Sequence, residues 1–384
     1  MTSLLEAALV AAGPAVSGMD ATQLPQELID DHRETWARYN ACKACWLRNR
    51  RLRCPEGVRC ESENTADAAG FGRIECLVYA QIQGLPWHPY TTWDAVIHNH
   101  LDCLAYAHEN GCPWDPETMR AAATCGHVDC MKYAHENGCP WDAETTWAAA
   151  RSGHLGCLQY AYENDCPWNP ATTEAAVEYG QLSCLKYAHE NNCAWHPATT
   201  RIAAAHGHLD CLKYAHENGC PWDPATTWSA ADYGHLDCLK YAHENGCPWY
   251  STTWAAAATG HLDCLEYAHR SGCPWHATTA WSAAAAGHLA CLKYAHCNGC
   301  PWGVVTTHAA AAHGHLDCLE YAHRNGCPWE PRTITRIAAM NGHLDCLRYA
   351  YENHCPCDLR MAQLARDRGY TACAEFVREL AFVK

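Results

Sequence analysis

The chain has 384 residues, of which 49% are hydrophobic, and its formal net charge at pH 7 is -15. A protein that binds nucleic acid through phosphate contacts carries a basic surface, so this charge argues against nucleic acid as a partner. No apolar run reaches the roughly 18 residues that a membrane span requires, so we expect no membrane-spanning segment.

The first 35 residues contain one weak motif. Residues 24–28 read Leu-Pro-Gln-Glu-Leu, with the proline in the first turn of a potential helix, and a Cys-Trp pair follows at 45–46. This arrangement resembles an F-box, the helical module that docks onto a ubiquitin-ligase adaptor. Residues 30–34 (Asp-Asp-His-Arg-Glu) depart from the apolar helices of that module. We therefore interpret residues 1–35 either as a degenerate F-box or as an ordinary helical N-terminal segment.

Residues 36–60 allow two interpretations. Cys42, Cys45, Cys54 and Cys60 make a set that is typical of a structural zinc site. However, two of these cysteines are nine residues apart, and the second begins a Cys-Pro pair of the kind that recurs later in the chain. The segment is then a degenerate N-terminal capping repeat, whose polar residues suit a terminal position. The sequence favours the cap, and a zinc-binding N-terminal module is the alternative.

From residue 61 to residue 357 the chain repeats one short unit eleven times. The first cysteine of each repeat stands 27 residues after the previous one, apart from one interval of 26 and one of 28. A fixed period of this size is typical of proteins that stack one small structural unit. The marker cysteines are Cys76, Cys103, Cys130, Cys157, Cys184, Cys211, Cys238, Cys264, Cys291, Cys318 and Cys346.

Each repeat predicts two short helices. In one repeat, Thr226 is a candidate N-cap for an alanine-rich first helix, which Gly234 ends in the left-handed conformation. The second helix is predicted from His235 to Asn245, and Gly246 ends it. A Cys-Pro-Trp sequence then makes the turn into the next repeat, because proline cannot continue a helix, and its tryptophan can cover the seam between repeats.

The unit resembles an ankyrin repeat, in which Thr-Pro-Leu-His-x-Ala-Ala precedes Gly-His, an apolar helix and a Gly-Ala-Asp turn. Residues 225–231 read Ala-Thr-Thr-Trp-Ser-Ala-Ala, Gly-His follows at 234–235, and Gly-Cys-Pro stands at 246–248. The unit is about six residues shorter than the usual 33, and the missing residues fall where ankyrin repeats place a β-hairpin finger. The resemblance implies an all-α, ankyrin-type α-solenoid of about 11 short helix-turn-helix repeats without that finger. Short repeats rich in His, Cys and Trp are similar to ankyrin-type arrays of large amoeba-infecting DNA viruses and of some protists.

The tail, residues 358–384, loses the repeated motif. Residues 359–369 and 370–380 predict one more helix pair, and its charged residues suit a capping repeat whose outer face meets water. The predicted organisation is thus an N-terminal segment (1–35), a degenerate cap (36–60), a repeat array (61–357) and a C-terminal capping helix pair (358–384).

The 29 cysteines do not predict disulfides. The two regular cysteines of a repeat lie nine residues apart, which is about 13 Å along a helix, and a disulfide needs Cα atoms within about 7 Å. Equivalent cysteines of neighbouring repeats are expected about 8–10 Å apart, which is also too far. We therefore expect reduced, buried thiols and an intracellular, reducing compartment, either cytoplasm or nucleus, of a host cell if the protein is viral.

Positions that vary among the repeats are the candidates for recognition, since the constant positions build the stack. In ankyrin proteins the equivalent first-helix positions line a concave face that holds protein partners, and Trp, Tyr and Arg often anchor interfaces. The alternative is that the tryptophans only fill space beside small alanines. The candidate partner-binding residues are Trp93, Arg120, Trp147, Glu174, Tyr179, Arg201, His206, Trp228, Tyr233, Trp254, Trp281, His308, His313 and Arg336.

The sequence predicts a protein–protein interaction scaffold, not an enzyme. It contains no Gly-x-Ser-x-Gly elbow, phosphate loop or His-Glu-x-x-His motif, and we assign no catalytic residue, cofactor or metal ligand in the array. The alternatives are a ubiquitin-ligase substrate adaptor, through the F-box-like N-terminus, and the zinc-binding N-terminal module. Full protonation of the 26 histidines would change the net charge from -15 to +11, so we predict lower stability below about pH 6.

Overall fold

The computed structural model describes residues 64–82 and 84–382. Within these residues it has 24 α-helices in consecutive pairs and no β-strand. The predicted all-α class, with short repeated helix pairs and no β-hairpin finger, is confirmed for this part of the chain. None of the described helices is both long and apolar enough to cross a membrane. The F-box, capping and zinc interpretations of residues 1–60 concern residues outside the described ranges.

Odd-numbered helices are the first helices of the repeats, and even-numbered helices are the second. In chain order they are α1 (Thr65–Gly70), α2 (Ile74–Ile82), α3 (Thr91–Ile97), α4 (Leu101–Glu109), α5 (Thr118–Cys125), α6 (Val128–Glu136), α7 (Ala143–Ser152), α8 (Leu155–Glu163), α9 (Thr172–Glu178), α10 (Leu182–Glu190), α11 (Thr199–Ala205), α12 (Leu209–Glu217), α13 (Thr226–Asp232), α14 (Leu236–Glu244), α15 (Thr252–Thr259), α16 (Leu262–Arg270), α17 (Thr279–Ala286), α18 (Leu289–Cys297), α19 (Val304–His313), α20 (Leu316–Arg324), α21 (Pro331–Met340), α22 (Leu344–Glu352), α23 (Leu359–Asp367) and α24 (Thr371–Phe382).

The described part of the chain divides into two compact halves, with the boundary between residues 194 and 195. Within each half, first helices pack on the first helices of neighbouring repeats, and second helices pack on second helices. The core is made of small and medium-sized side chains. In one repeat these are Ala230 and Ala231 of α13 with Cys238, Leu239 and Ala242 of α14, all fully or almost fully buried. Alanine lets neighbouring first helices approach closely, so short helices can form a continuous core.

The helix ends follow the predicted glycines, but the predicted N-cap is wrong. Gly234 and Gly246 have φ angles of 76° and 85°, in the left-handed region that glycine adopts without a Cβ penalty. Thr226, however, is the first helical residue of α13 and is buried. Its hydroxyl donates to the backbone oxygen of Asp223 at 2.8 Å and lies 3.1 Å from Oγ1 of Thr200 in the preceding repeat. The hydroxyl therefore joins two repeats and does not cap its own helix.

Constant aromatic side chains form the seam between neighbouring repeats. His216 stacks on Trp222 with ring centroids 4.5 Å apart. Tyr241 of the next repeat is hydrogen bonded through its hydroxyl to Nδ1 of His216 at 3.1 Å. Trp222 Nε1 donates to the backbone oxygen of Asn245 at 3.1 Å. The same stack recurs in other repeats of both halves. The prediction that the tryptophan of Cys-Pro-Trp covers the seam is confirmed.

The two irregular repeat lengths are absorbed by the loop that precedes a first helix. In the shorter repeat, Ser251 before α15 adopts a left-handed φ of 48°. The seam bond across that loop, from His243 Nδ1 to the Tyr267 hydroxyl, is still 3.0 Å long. In the longer repeat α21 begins at Pro331, and the bond from His323 Nδ1 to the Tyr349 hydroxyl is 2.9 Å. Loop length therefore varies without disturbing the seam.

The C-terminal pair, α23 and α24, keeps the geometry of a repeat although it loses the motif. Tyr370 stands where other repeats have histidine, and a Cβ built on Gly342 would lie 2.4 Å from its ring. Cys373 follows Cys346 by 27 residues and is buried like the marker cysteines. This correspondence is hard to recognise in the sequence, because glycine and cysteine are almost the only residues of the motif that persist.

The described cysteines are free thiols, and all except Cys125, Cys297 and Cys357 are buried. Burial raises the pKa of Cys211 to about 11 and, with the nearby Asp237 carboxylate as a smaller cause, that of Cys238 to about 12. The prediction that these cysteines are small, buried core residues is confirmed for the described part of the chain.

Candidate functional site

All fourteen candidate partner-binding residues lie on first helices or directly after them, and none is buried. We call the surface that they share within each half the first-helix face. The buried residues of the same helices are the threonines and alanines that contact neighbouring repeats. His206, Tyr233, Trp281, His313 and Arg336 are exposed. The other nine are half-buried: Trp93, Arg120, Trp147, Glu174, Tyr179, Arg201, Trp228, Trp254 and His308.

In the first half, an arginine joins two of the predicted residues. The Arg151 guanidinium lies 4.8 Å from the ring centroid of Trp147 and 5.0 Å from that of Tyr179. It also donates a 3.1 Å hydrogen bond to the Tyr179 hydroxyl. Arg151 is not among the residues predicted from the sequence. The sequence feature that could have identified Arg151 is a charged residue two positions before the glycine, where most other repeats have a small side chain.

A shallow groove of about 440 Å³ lies in the same half, at the N-terminal ends of α5 and α7. Its lining includes Arg120, Glu117 and Glu144, together with Trp141 of the seam. Arg120 is paired with Glu117, one turn earlier in the chain. The cation is therefore already neutralised within the protein, and the rest of the groove is acidic and apolar.

In the second half, three tryptophans occupy the same position in three successive first helices. Trp228 lies on α13, Trp254 on α15 and Trp281 on α17, each six residues before the glycine that follows its helix. Trp228 and Trp254 are half-buried, and Trp281 is 38% exposed. Tyr233, which follows α13, is 58% exposed. We call these four residues the aromatic patch.

The indoles of the aromatic patch differ from those of the seam. Trp275 of the seam stacks on His269 with centroids 4.4 Å apart and donates from Nε1 to the backbone oxygen of Asn298 at 3.1 Å. Trp254 and Trp281 make no hydrogen bond, ring stack or cation contact within the described residues, and the same holds for Trp228. The seam tryptophan thus has a ring stack and an N–H acceptor within the protein, whereas the patch tryptophans have neither in the described residues, although Trp228 and Trp254 are half-buried like Trp275.

Few charges surround the aromatic patch. Helices α15 and α17 contain no Asp, Glu, Lys or Arg, and α13 contains only Asp232, whose pKa is raised by burial. On the flanking repeats, Arg201 lies 3.4 Å from the Asp223 carboxylate. His308 lies 3.9 Å from the Glu330 carboxylate, and burial lowers the pKa of this imidazole. The centre of the second half's first-helix face is therefore aromatic and nearly uncharged.

The described residues contain no group of three or more His, Cys, Asp or Glu side chains placed to hold a metal ion. In at least six repeats the histidine of the Gly-His pair instead packs under a glycine of the preceding repeat. His343 is an example, with Nε2 2.9 Å from the backbone oxygen of Ala312. These imidazoles have a structural role in the stack.

The geometry defines a helical-repeat protein with a variable, partly aromatic first-helix face. No protein-family model matches the chain. None of the curated proteins matches it either. Among solved structures, the crystal structure of the human ASB11 ankyrin repeat domain matches with a TM-score of 0.34 and 15% sequence identity, over 53% of this chain and 96% of that chain. This superposition is loose, so the description of the fold rests on the helices, seams and caps of the chain itself.

Proposed function

We propose that the chain is a protein-interaction scaffold that holds a partner protein on the first-helix face of its repeats. The observation that carries the proposal is the contrast between its two kinds of tryptophan. The seam tryptophans are stacked and hydrogen bonded within the protein. The tryptophans of the aromatic patch have neither kind of contact and remain partly exposed.

This contrast fits binding better than packing. Large aromatic side chains that are rigid, partly exposed and clustered are the residues that most often anchor protein interfaces. A tryptophan with a purely structural role would stack on a neighbouring ring and give its N–H an acceptor, as the seam tryptophans do, although they are half-buried like Trp228 and Trp254. The residues that vary from repeat to repeat on this face then set which partner is held. No catalytic role is part of the proposal.

The test compares three forms of the full chain as baits in cell lysate. The first is unmodified, the second carries Trp228→Ala, Trp254→Ala and Trp281→Ala, and the third carries Leu359→Ala as a control at an exposed site on α23. We expect the unmodified and Leu359→Ala chains to retain the same specific proteins and the triple variant to lose them. Thermal unfolding of each bait verifies that the variants are folded. Identical capture by all three folded chains would contradict the proposal.

The ubiquitin-ligase adaptor remains the second hypothesis, and it depends on residues outside the described ranges. It is tested by replacing Leu24 and Leu28 with alanine in the full chain. Loss of ubiquitin-ligase components from the captured proteins, with the other captured proteins unchanged, would support an adaptor. The absence of ligase components from both captures would reject it.

The zinc-binding N-terminal module is the third hypothesis and also concerns residues outside the described ranges. Elemental analysis of the purified full chain tests it directly. One zinc ion per chain, lost in a variant with Cys42→Ser and Cys45→Ser, would support the module. A metal-free unmodified chain would leave the degenerate cap as the interpretation of residues 36–60.

We also propose that the chain works in a reducing compartment, because its described cysteines are free and most are buried. The cytoplasm and the nucleus are the candidates. Fractionation of cells that express the tagged chain, followed by labelling of free thiols in each fraction, tests this placement. Recovery of the chain in a secreted, disulfide-bonded form would contradict it.

A further inference from the structure

The aromatic patch has a regular spacing along the second half. Its three tryptophans occupy equivalent positions on α13, α15 and α17, and these first helices pack directly on one another. Packed helices lie about 8–10 Å apart. A bound segment that lies across them must therefore present one side chain to an indole about every 8–10 Å.

Among regular peptide conformations, the polyproline II helix matches this spacing with every turn. It has three residues per turn and rises about 3.1 Å per residue, so residues i, i+3 and i+6 lie on one side and are separated by about 9.3 Å. In a β-strand, residues three apart point to opposite sides. In an α-helix, the side chains that lie on one side of the helix with a spacing near 8–10 Å are seven residues apart.

The indole N–H groups favour the same conformation. Each of the three tryptophans has an N–H without an acceptor in the described residues, beside a partly exposed ring. A polyproline II segment makes no internal hydrogen bonds, so its carbonyl oxygens are free to accept from these donors. The carbonyls of an α-helix are already bonded within the helix, except in its last turn.

The lack of charge at the centre of the patch and the rigidity of proline-rich segments also favour a polyproline II segment. Helices α15 and α17 have no charged side chains, so the centre of the patch offers nothing to a charged segment. Proline is uncharged, and its ring packs well against the face of an aromatic side chain. A proline-rich segment is also already extended before binding, so little conformational entropy is lost when it docks.

We infer that the aromatic patch binds an extended, proline-rich protein segment in the polyproline II conformation, with a proline or another apolar residue at every third position. This inference rests on the proposed scaffold function and adds the chemical class of the bound segment. Each apolar residue packs on one of Trp228, Trp254 and Trp281, and carbonyl oxygens between them accept from the indole N–H groups. Tyr233 borders the segment at the α13 end.

The test is a selection from a library of random twelve-residue peptides displayed on phage, with the purified full chain as bait. We expect the selected peptides to share prolines or apolar residues at three-residue intervals. A selected peptide, made with a fluorescent label, should bind the full chain, and a peptide of the same composition without the three-residue spacing should bind at least about tenfold more weakly.

Variants connect the binding to the patch. Trp254→Ala should weaken the labelled peptide at least about tenfold, and Trp254→Phe, which retains a ring but has no N–H, by about threefold to tenfold. Tyr233→Ala changes an exposed side chain and should weaken it about threefold while leaving the thermal midpoint unchanged. Leu359→Ala, at the exposed control site on α23, should bind like the unmodified chain.

Two results would overturn the inference. One is a selection that yields no peptides or yields apolar residues with helical spacing. The other is peptide binding that neither Trp254→Ala nor Tyr233→Ala weakens. The proposed scaffold function is judged separately, by the capture experiment with the triple tryptophan variant. If that variant loses its partners while no three-residue spacing is selected, the scaffold stands and only the polyproline II inference fails.

Discussion

Two glycines of the second half offer a matched test of how the repeats are held together. Gly314 follows the first helix α19, and Gly326 follows the second helix α20. Their φ angles are 79° and 78°, so alanine meets the same backbone penalty at both positions. The surroundings differ. A Cβ on Gly314 would lie 2.4 Å from Nδ1 of His343, whereas a Cβ on Gly326 would have no atom within 4 Å.

The difference in free energy can be worked from these contacts. A left-handed alanine costs about 1–2 kcal/mol, and this is the whole expected effect of Gly326→Ala. In Gly314→Ala the His343 ring must also move, although its Nε2 bonds the backbone oxygen of Ala312 at 2.9 Å. Overpacking adds about 1–3 kcal/mol, and loss of that hydrogen bond about 0.5–1.5 kcal/mol. Gly314→Ala should therefore be the more destabilising substitution by about 1.5–4.5 kcal/mol.

Urea and thermal unfolding of the full chain, followed by circular dichroism, measure both variants under the same conditions. Two further chains, with His343→Ala alone and with Gly314→Ala and His343→Ala together, complete a double-mutant cycle. Removing the ring should abolish most of the extra cost of the alanine at Gly314. Equal destabilisation by the two single glycine substitutions would refute the reasoning. So would an extra cost that persists after the imidazole is removed.

Three further predictions concern titration and thiol reactivity. Burial lowers the pKa of His154 and His235 below the usual 6.5, so the folded state favours the neutral rings. The free energy of unfolding should therefore be at its full value above about pH 6.5 and decrease below it. A thermal midpoint that is unchanged between about pH 7.5 and 5.5 would contradict this prediction. Burial is the main cause that raises the pKa of Cys238 to about 12. Because a thiol in the unfolded chain has a pKa of about 8.5, the free energy of unfolding should also decrease as the pH rises above that value. A thermal midpoint that stays constant up to about pH 10.5 would count against this prediction. Cys297 is the one exposed thiol of the described residues. Cys297→Ser should therefore lower by one the number of rapidly alkylated cysteines in the native chain, as counted by mass spectrometry. An unchanged number would show that this thiol is shielded.

The repeat architecture could be predicted from the sequence because the residues that build it recur. Gly234 and Gly246 end helices as expected, and Trp222 covers a seam as expected. The role of Thr226 could not be predicted from local rules, because threonine before an alanine-rich helix is also a standard N-cap. Its hydroxyl is used between repeats, which only the stacking of neighbouring first helices reveals.

The candidate site was predictable in position but not in chemistry. Variation among repeats pointed to first-helix residues, and the structure places all of them at the surface. It did not show whether Trp254 only fills space, because that depends on its contacts: within the described residues Trp254 makes no hydrogen bond or ring stack, whereas the seam tryptophan Trp275 makes both. Arg151 was missed because, although it contacts Trp147 within α7, its contact with Tyr179 crosses to the next repeat. Such contacts depend on side-chain directions that repeat alignment does not give.

The loops before α15 and α21 have a consequence for how a chain of this kind can change over evolutionary time. One is a residue shorter and the other a residue longer than usual, yet the seam bond across each loop is 3.0 Å and 2.9 Å long, respectively. If recombination joins two repeats with one residue more or fewer in this loop, the product can therefore still form the seam and fold. Copies can be gained or lost, each with its own first-helix residue, while every new neighbour meets the same seam.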